Sequence, residues 1–155
     1  MGFTNCLKCT ALVTAATMMV LVVSCGNEKK EPQEENNNPA PQEQSGPVKK
    51  IISMEQYNAA VEQSGDKLVV FDLYADWCMP CRILSPTLEK IAERYASQAS
   101  FYKINIDKVP QVSQFFGVRG IPHVALMKNK TVVDAIIGLQ PEENYAKAIE
   151  KNAGK

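Results

Sequence analysis

Leu68-Val69-Val70-Phe71-Asp72-Leu73-Tyr74-Ala75-Asp76-Trp77-Cys78-Met79-Pro80-Cys81 decides how this chain is read. From Leu68 to Tyr74 the residues are apolar apart from Asp72, as expected for a central strand buried on both faces. Beyond the cysteines, Ile83, Leu84, Leu88, Ile91, Ala92 and Tyr95 recur at helical spacing. A Cys-x-x-Cys at a strand-to-helix junction is a dithiol placed to open and close. At a helix start, peptide dipoles and free N–H groups favour a thiolate over a thiol. The thiolate is the form that attacks disulfides.

On either side of this junction, strand and helix signals alternate. Ser53 with Gln56 three residues on reads as a capping box, and Tyr57, Ala60 and Val61 give that helix an apolar face ending at Gly65-Asp66. The helix after the cysteines is expected to run from about Met79 to Tyr95, kinked by Pro86. Phe101 to Ile106 reads as a strand, and Pro110 to Phe116 as a short helix. Val124–Met127 and Thr131–Ile137 read as a hairpin turning at Lys128-Asn129-Lys130. Pro141 opens a last helix through Tyr145, Ala148 and Ile149. With a weak first strand near Ile51, the order is β-α-β-α-β-α-β-β-α. That order implies an α/β fold with a mixed central β-sheet flanked by helices.

The chain has 155 residues, enough for one domain with appendages and for a core that needs no disulfide staples. Its 17 basic and 17 acidic side chains balance, so no basic excess argues for nucleic acid. Residues 1–24 read as a lipoprotein-type signal peptide. Lys8 supplies the positive charge, and Ala11 to Val23 is an apolar stretch too short to span a bilayer. Leu21-Val22-Val23-Ser24-Cys25-Gly26 resembles the bacterial lipobox, which makes Cys25 the expected lipidation site and mature N-terminus. An ordinary secretory signal with soluble release is the simpler alternative. Removal of the leader takes Cys6 and Cys9 with it and leaves no free thiol to exchange with the pair, as suits an oxidising compartment. Residues 25–50, rich in Pro, Glu and Asn with almost no large apolar residue, read as a disordered tether, and the folded domain is expected over 51–155.

The segment from about Ile51 onward resembles the thioredoxin family. The resemblance rests on Phe71 to Cys78, Pro86, Lys103-Ile104-Asn105-Ile106-Asp107, Gly117-Val118-Arg119-Gly120-Ile121-Pro122 and Gly138, in that order. It implies the thioredoxin fold, a cis peptide before Pro122, and thiol–disulfide exchange without cofactor or metal. No long insertion separates Cys81 from Pro122, unlike the helical-insert oxidases and cytochrome-maturation thioredoxins.

By this resemblance Cys78 is the exposed nucleophile, and Cys81, one turn further in, is the resolving thiol. Asp72 is the proton acceptor for Cys81, and Lys103 lies near that acid. Trp77 covers the dithiol, Pro122 shapes a groove, and the backbone of Ile121 pairs with an extended substrate peptide. Two positions depart from the family. Met79 stands where Gly is usual between the cysteines, which leaves the reduction potential open. His123 follows the proline where Thr is common, and is left out of the catalytic set. The same cysteines could instead form a structural disulfide or half a zinc site, although zinc wants four ligands and the domain adds only His123.

The resulting expectation is a monomeric, lipid-anchored disulfide reductase outside the cytoplasmic membrane of a bacterium, facing the periplasm. Its partners would be disulfide-containing exported proteins, a membrane thiol reductase supplying electrons, and the membrane itself through the lipid on Cys25. A disulfide oxidase or isomerase with the same dithiol is one alternative. A non-catalytic adaptor that uses only the groove is another.

Overall fold

The computed structural model describes residues 46–154. The leader, Cys25 and most of the tether lie outside the described residues.

At the centre is β2 (Leu68–Tyr74), the apolar run that leads into the cysteine pair. Its neighbours are β3 (Ala99–Asn105), parallel to it, and β4 (His123–Lys128), antiparallel. β1 (Val48–Ile51) adds to β3 in parallel, and β5 (Thr131–Ile137) adds to β4 antiparallel, giving the order β1-β3-β2-β4-β5. This is the mixed five-stranded sheet that the sequence implied.

Two apolar layers sit on the sheet because side chains alternate between its faces. On one face Val70, Val124 and Leu126 pack with Leu84, Leu88 and Ile91 of α2 (Met79–Arg94) and with Tyr145 and Ile149 of α4 (Glu142–Ala153). On the other, Val69, Phe71, Leu73 and Met127 pack with Tyr57 and Ala60 of α1 (Met54–Ser64) and Val112 of α3 (Pro110–Phe115). Ser53 caps α1, and the return bond expected of a capping box is shifted by one residue, from the N-cap to Ile52. The Ser53 hydroxyl accepts the Gln56 N–H at 3.3 Å, and the Gln56 side chain accepts the Ile52 N–H at 2.9 Å. Pro86 lies inside α2, as expected.

The expected boundary at Ile51 is corrected. Regular structure starts at Val48, inside the stretch read as tether. Val48 and Ile51 are buried while Lys49 and Lys50 between them are exposed, so an edge strand of four residues carries only two apolar signals. The hairpin between β4 and β5 turns through Asn129 and Lys130, both in the left-handed region at φ 50° and 61°. These are the values that a two-residue turn needs to match strand twist.

Candidate active site

The dithiol sits where β2 hands the chain to α2. Cys78 is the N-cap residue of α2, and Cys78 and Cys81 form a disulfide with Cα atoms 5.3 Å apart. The Cys78 Sγ accepts the Cys81 backbone N–H at 3.2 Å. That donor, at the positive end of a four-turn helix, favours negative charge on the same sulfur once the pair is reduced.

The expectation of an exposed Cys78 is corrected: both cysteines are only 3% exposed. The Cys78 N–H donates to the Ala75 carbonyl at 3.1 Å, folding the 75–78 turn beneath the sulfur. Ala75 and the two cysteines form a small cluster against which Tyr74, Ile106 and Ile121 pack. Asp76, Trp77, Met79, Pro80 and Arg82, which flank the pair in the chain, are exposed and form its rim.

Trp77 directly precedes Cys78. Its side chain is 69% exposed, and its ring nitrogen donates to Asp107 Oδ2 at 3.0 Å. Asp107 was not among the expected site residues. Its position just past β3, at the same carboxyl edge of the sheet as the dithiol, was the available signal.

Pro122 is buried, and the Ile121–Pro122 peptide is cis, as the resemblance implied. The Pro122 carbonyl accepts the Gly138 N–H at 2.8 Å. Gly138 has φ 77°, a conformation that favours glycine, and it ties the end of β5 to the proline loop. With that carbonyl engaged, Ile121 is the residue of this loop that meets the cysteine cluster.

Asp72 is 5% exposed, and its Oδ1 has no hydrogen-bond partner among the described protein groups. It sits opposite Val124, on the sheet face that α2 covers. Burial pushes its carboxyl up to about 7, against the pull of Lys103 and with a smaller push from Glu89. Lys103 is its direct neighbour across the β2–β3 ladder. Its ammonium pairs with Glu89 at 3.4 Å, so part of its charge is offset there. Burial outweighs the lysine, and Asp72 is poised to exchange a proton near neutral pH. The role of Glu89 was not legible from the sequence, because it comes from α2 while its partners are on two strands.

His123 is 3% exposed and pairs across the ladder with Leu73, which places it on the opposite face of the sheet from Asp72. Desolvation by burial lowers its pKa. It therefore belongs to the core beneath α1 and α3, consistent with its exclusion from the catalytic set.

The thioredoxin family profile matches residues 48–151, about two-thirds of the chain. A thioredoxin from Chlorobaculum thiosulfatiphilum is 37% identical over 89 residues, covering 57% of this chain and 82% of that protein. Thioredoxin-1 of Saccharomyces cerevisiae is 38% identical over 106 residues, covering 68% of this chain and 99% of that protein. Among solved structures, thioredoxin from Malassezia sympodialis superposes with a TM-score of 0.63 at 34% identity, covering 70% of this chain and 92% of that one. A thioredoxin from Nicotiana alata superposes at 0.66 with 27% identity, covering 73% and 98%. The chain belongs to the thioredoxin family and is a thiol–disulfide oxidoreductase of the disulfide-reductase type, with Cys78 and Cys81 as its redox pair.

Proposed function

We propose that this protein reduces disulfides of exported proteins while held by a lipid on Cys25 to a membrane outside the bacterial cytoplasm, facing the periplasm. The observation that carries the exchange chemistry is the Cys78–Cys81 pair at the start of α2, with the Cys81 N–H aimed at the Cys78 sulfur.

In the reduced protein, the Cys78 thiolate attacks one sulfur of a substrate disulfide. A Cys78–substrate bond forms, the substrate S–S bond breaks, and the departing sulfur leaves as a thiolate that takes a proton. Cys81 gives its proton to the Asp72 carboxylate and attacks Cys78. The intramolecular disulfide forms and the second substrate thiol is released. Two electrons have moved from the protein to the substrate. Regeneration needs two electrons from a donor, assigned here to a membrane thiol reductase.

Trp77, Ile121 and Pro122 form the receiving surface. Ile121 packs against the cysteines, and Trp77 offers an exposed ring fixed by Asp107. The backbone of Ile121 would pair with an extended substrate segment, as in strand addition.

Anchoring rests on the sequence alone: the apolar leader, and Cys25 after Val22-Val23-Ser24. One acyl chain holds a protein only marginally, so a second acyl signal accompanies it. Cys25→Ser is expected to move the protein from the membrane fraction to the soluble one and to remove the lipid mass from the N-terminal peptide. A Cys25→Ser protein that stays membrane-bound would contradict the lipid anchor and leave the dithiol chemistry untouched.

A further inference from the structure

Met79 stands between the two redox cysteines, and the exchange chemistry gives it no part. Its side chain is 57% exposed, on the same rim as Trp77. The other methionines in the described residues are more sheltered: Met54 is half-buried, and Met127 is 2% exposed in the core. The Met79 sulfur also has a dedicated neighbour. The Arg82 guanidinium, one helical turn on, donates to Sδ at 3.5 Å. An exposed thioether is open to oxidants, and the Arg82 donor beside it is placed to hydrogen-bond an oxygen added to the sulfur. The donor stabilises negative charge building on the departing oxygen of the peroxide, and afterwards hydrogen-bonds the sulfoxide.

We propose that Met79 is a reversible oxidation site through which peroxide-class oxidants weaken the grip of this protein on protein substrates. The Met79 sulfur attacks one oxygen of hydrogen peroxide, an S–O bond forms, and the O–O bond breaks. The departing hydroxide takes the proton of the new S–OH group and leaves as water. Sulfur loses two electrons and the peroxide gains them. The product is methionine sulfoxide with its oxygen facing Arg82. A flexible apolar side chain at the substrate rim thus becomes polar. The relevant state is the disulfide form, in which Cys78 and Cys81 present no thiolate to consume the oxidant. A methionine sulfoxide reductase reverses the change.

The consequence for substrate binding rests on the proposed receiving surface; the oxidation itself does not. The full chain, in its disulfide form, is treated with hydrogen peroxide, quenched with catalase, and mapped by peptide mass spectrometry. Met79 is expected to gain one oxygen ahead of Met54 and Met127. After reduction of the dithiol, KM for insulin rises roughly threefold to tenfold, the size expected for losing one apolar contact. Reduction of a small aromatic disulfide, which needs no extended surface, changes less than about twofold by the same reasoning. Methionine sulfoxide reductase restores KM. In Met79→Leu the ratio of KM after and before peroxide falls to about one, whatever its own KM, because its rim holds no thioether.

Equal oxidation at Met79 and Met127 would overturn the site. An oxidised Met79 with unchanged KM would overturn the consequence, as would an undiminished peroxide response in Met79→Leu. Untreated protein that fails to reduce insulin would refute the reductase reading and the KM effect together, while the peptide map still decides the oxidation.

Discussion

At pH 8, Asp72→Asn is expected to stabilise the disulfide form of the protein by about 4 kcal/mol and to slow disulfide exchange at the same time. The buried carboxyl has its pKa raised from 3.8 to about 7 by desolvation. The unfolded chain gives up this proton near pH 4, whereas the folded protein keeps it until near pH 7. Below pH 4 both states are protonated, and the carboxyl has no effect on stability through ionisation. Between 3.8 and about 7, stability falls as pH rises, because only the unfolded state has shed the proton. Above 7 the full difference, about 4 kcal/mol, has been lost. An amide of nearly the same shape carries no such ionisation. Urea unfolding of the two proteins at pH 4 and pH 8 should therefore show near-equal stability at the lower pH and the full gap at the higher one. Insulin reduction by the variant should be slower, by about tenfold or more near pH 7, since proton acceptors of this kind contribute that much or more. Equal stability at pH 8 would mean that Asp72 is ionised cheaply, through Lys103 or through solvent.

Cys78→Ser is expected to have the largest effect on activity. A hydroxyl at this position is a far weaker nucleophile than a thiolate, and the Cys81 N–H at the helix start is aimed at the Cys78 sulfur. Disulfide reduction should fall to background, a loss on the order of a thousandfold or more. The melting temperature should stay close to that of the reduced parent, because the cysteine cluster is small and the main apolar layers lie elsewhere. Substantial residual turnover would move the attacking role to Cys81 or to another group.

Much of the fold was legible because local pattern and burial agree. Leu68–Tyr74 is a continuous apolar run and is buried over nearly its whole length. α2 and α4 show their buried faces at helical spacing, and the hairpin turns at Asn129 and Lys130, the non-glycine residues with positive φ among those described. β1 was missed because its four residues carry only two apolar signals, Val48 and Ile51, one for each apolar layer, and Lys49 and Lys50 gave the segment the look of linker.

The candidate site was legible in its chemistry and less so in its packing. Cys78, Cys81, Asp72 and Pro122 announce themselves through residue type and spacing. The depth of Cys78 does not, because it depends on Tyr74, Ile106 and Ile121 arriving from three different segments. The same holds for the Trp77–Asp107 hydrogen bond and the Lys103–Glu89 pair, which join residues far apart in the chain. His123 shows the reverse. By residue type it invites a catalytic role, and only the register with Leu73 places it on the far face of the sheet.

The most direct test is to trap the exchange halfway. Reduced Cys81→Ser protein, incubated with insulin or with extracts of exported proteins, lacks the thiol that releases substrate. It should accumulate covalent adducts joined through Cys78, stable on non-reducing gels and dispersed by dithiothreitol. Cys78→Ser under the same conditions should form none. Adducts absent from Cys81→Ser while the parent reduces insulin, or present equally in both variants, would contradict the assignment of attack to Cys78 and release to Cys81.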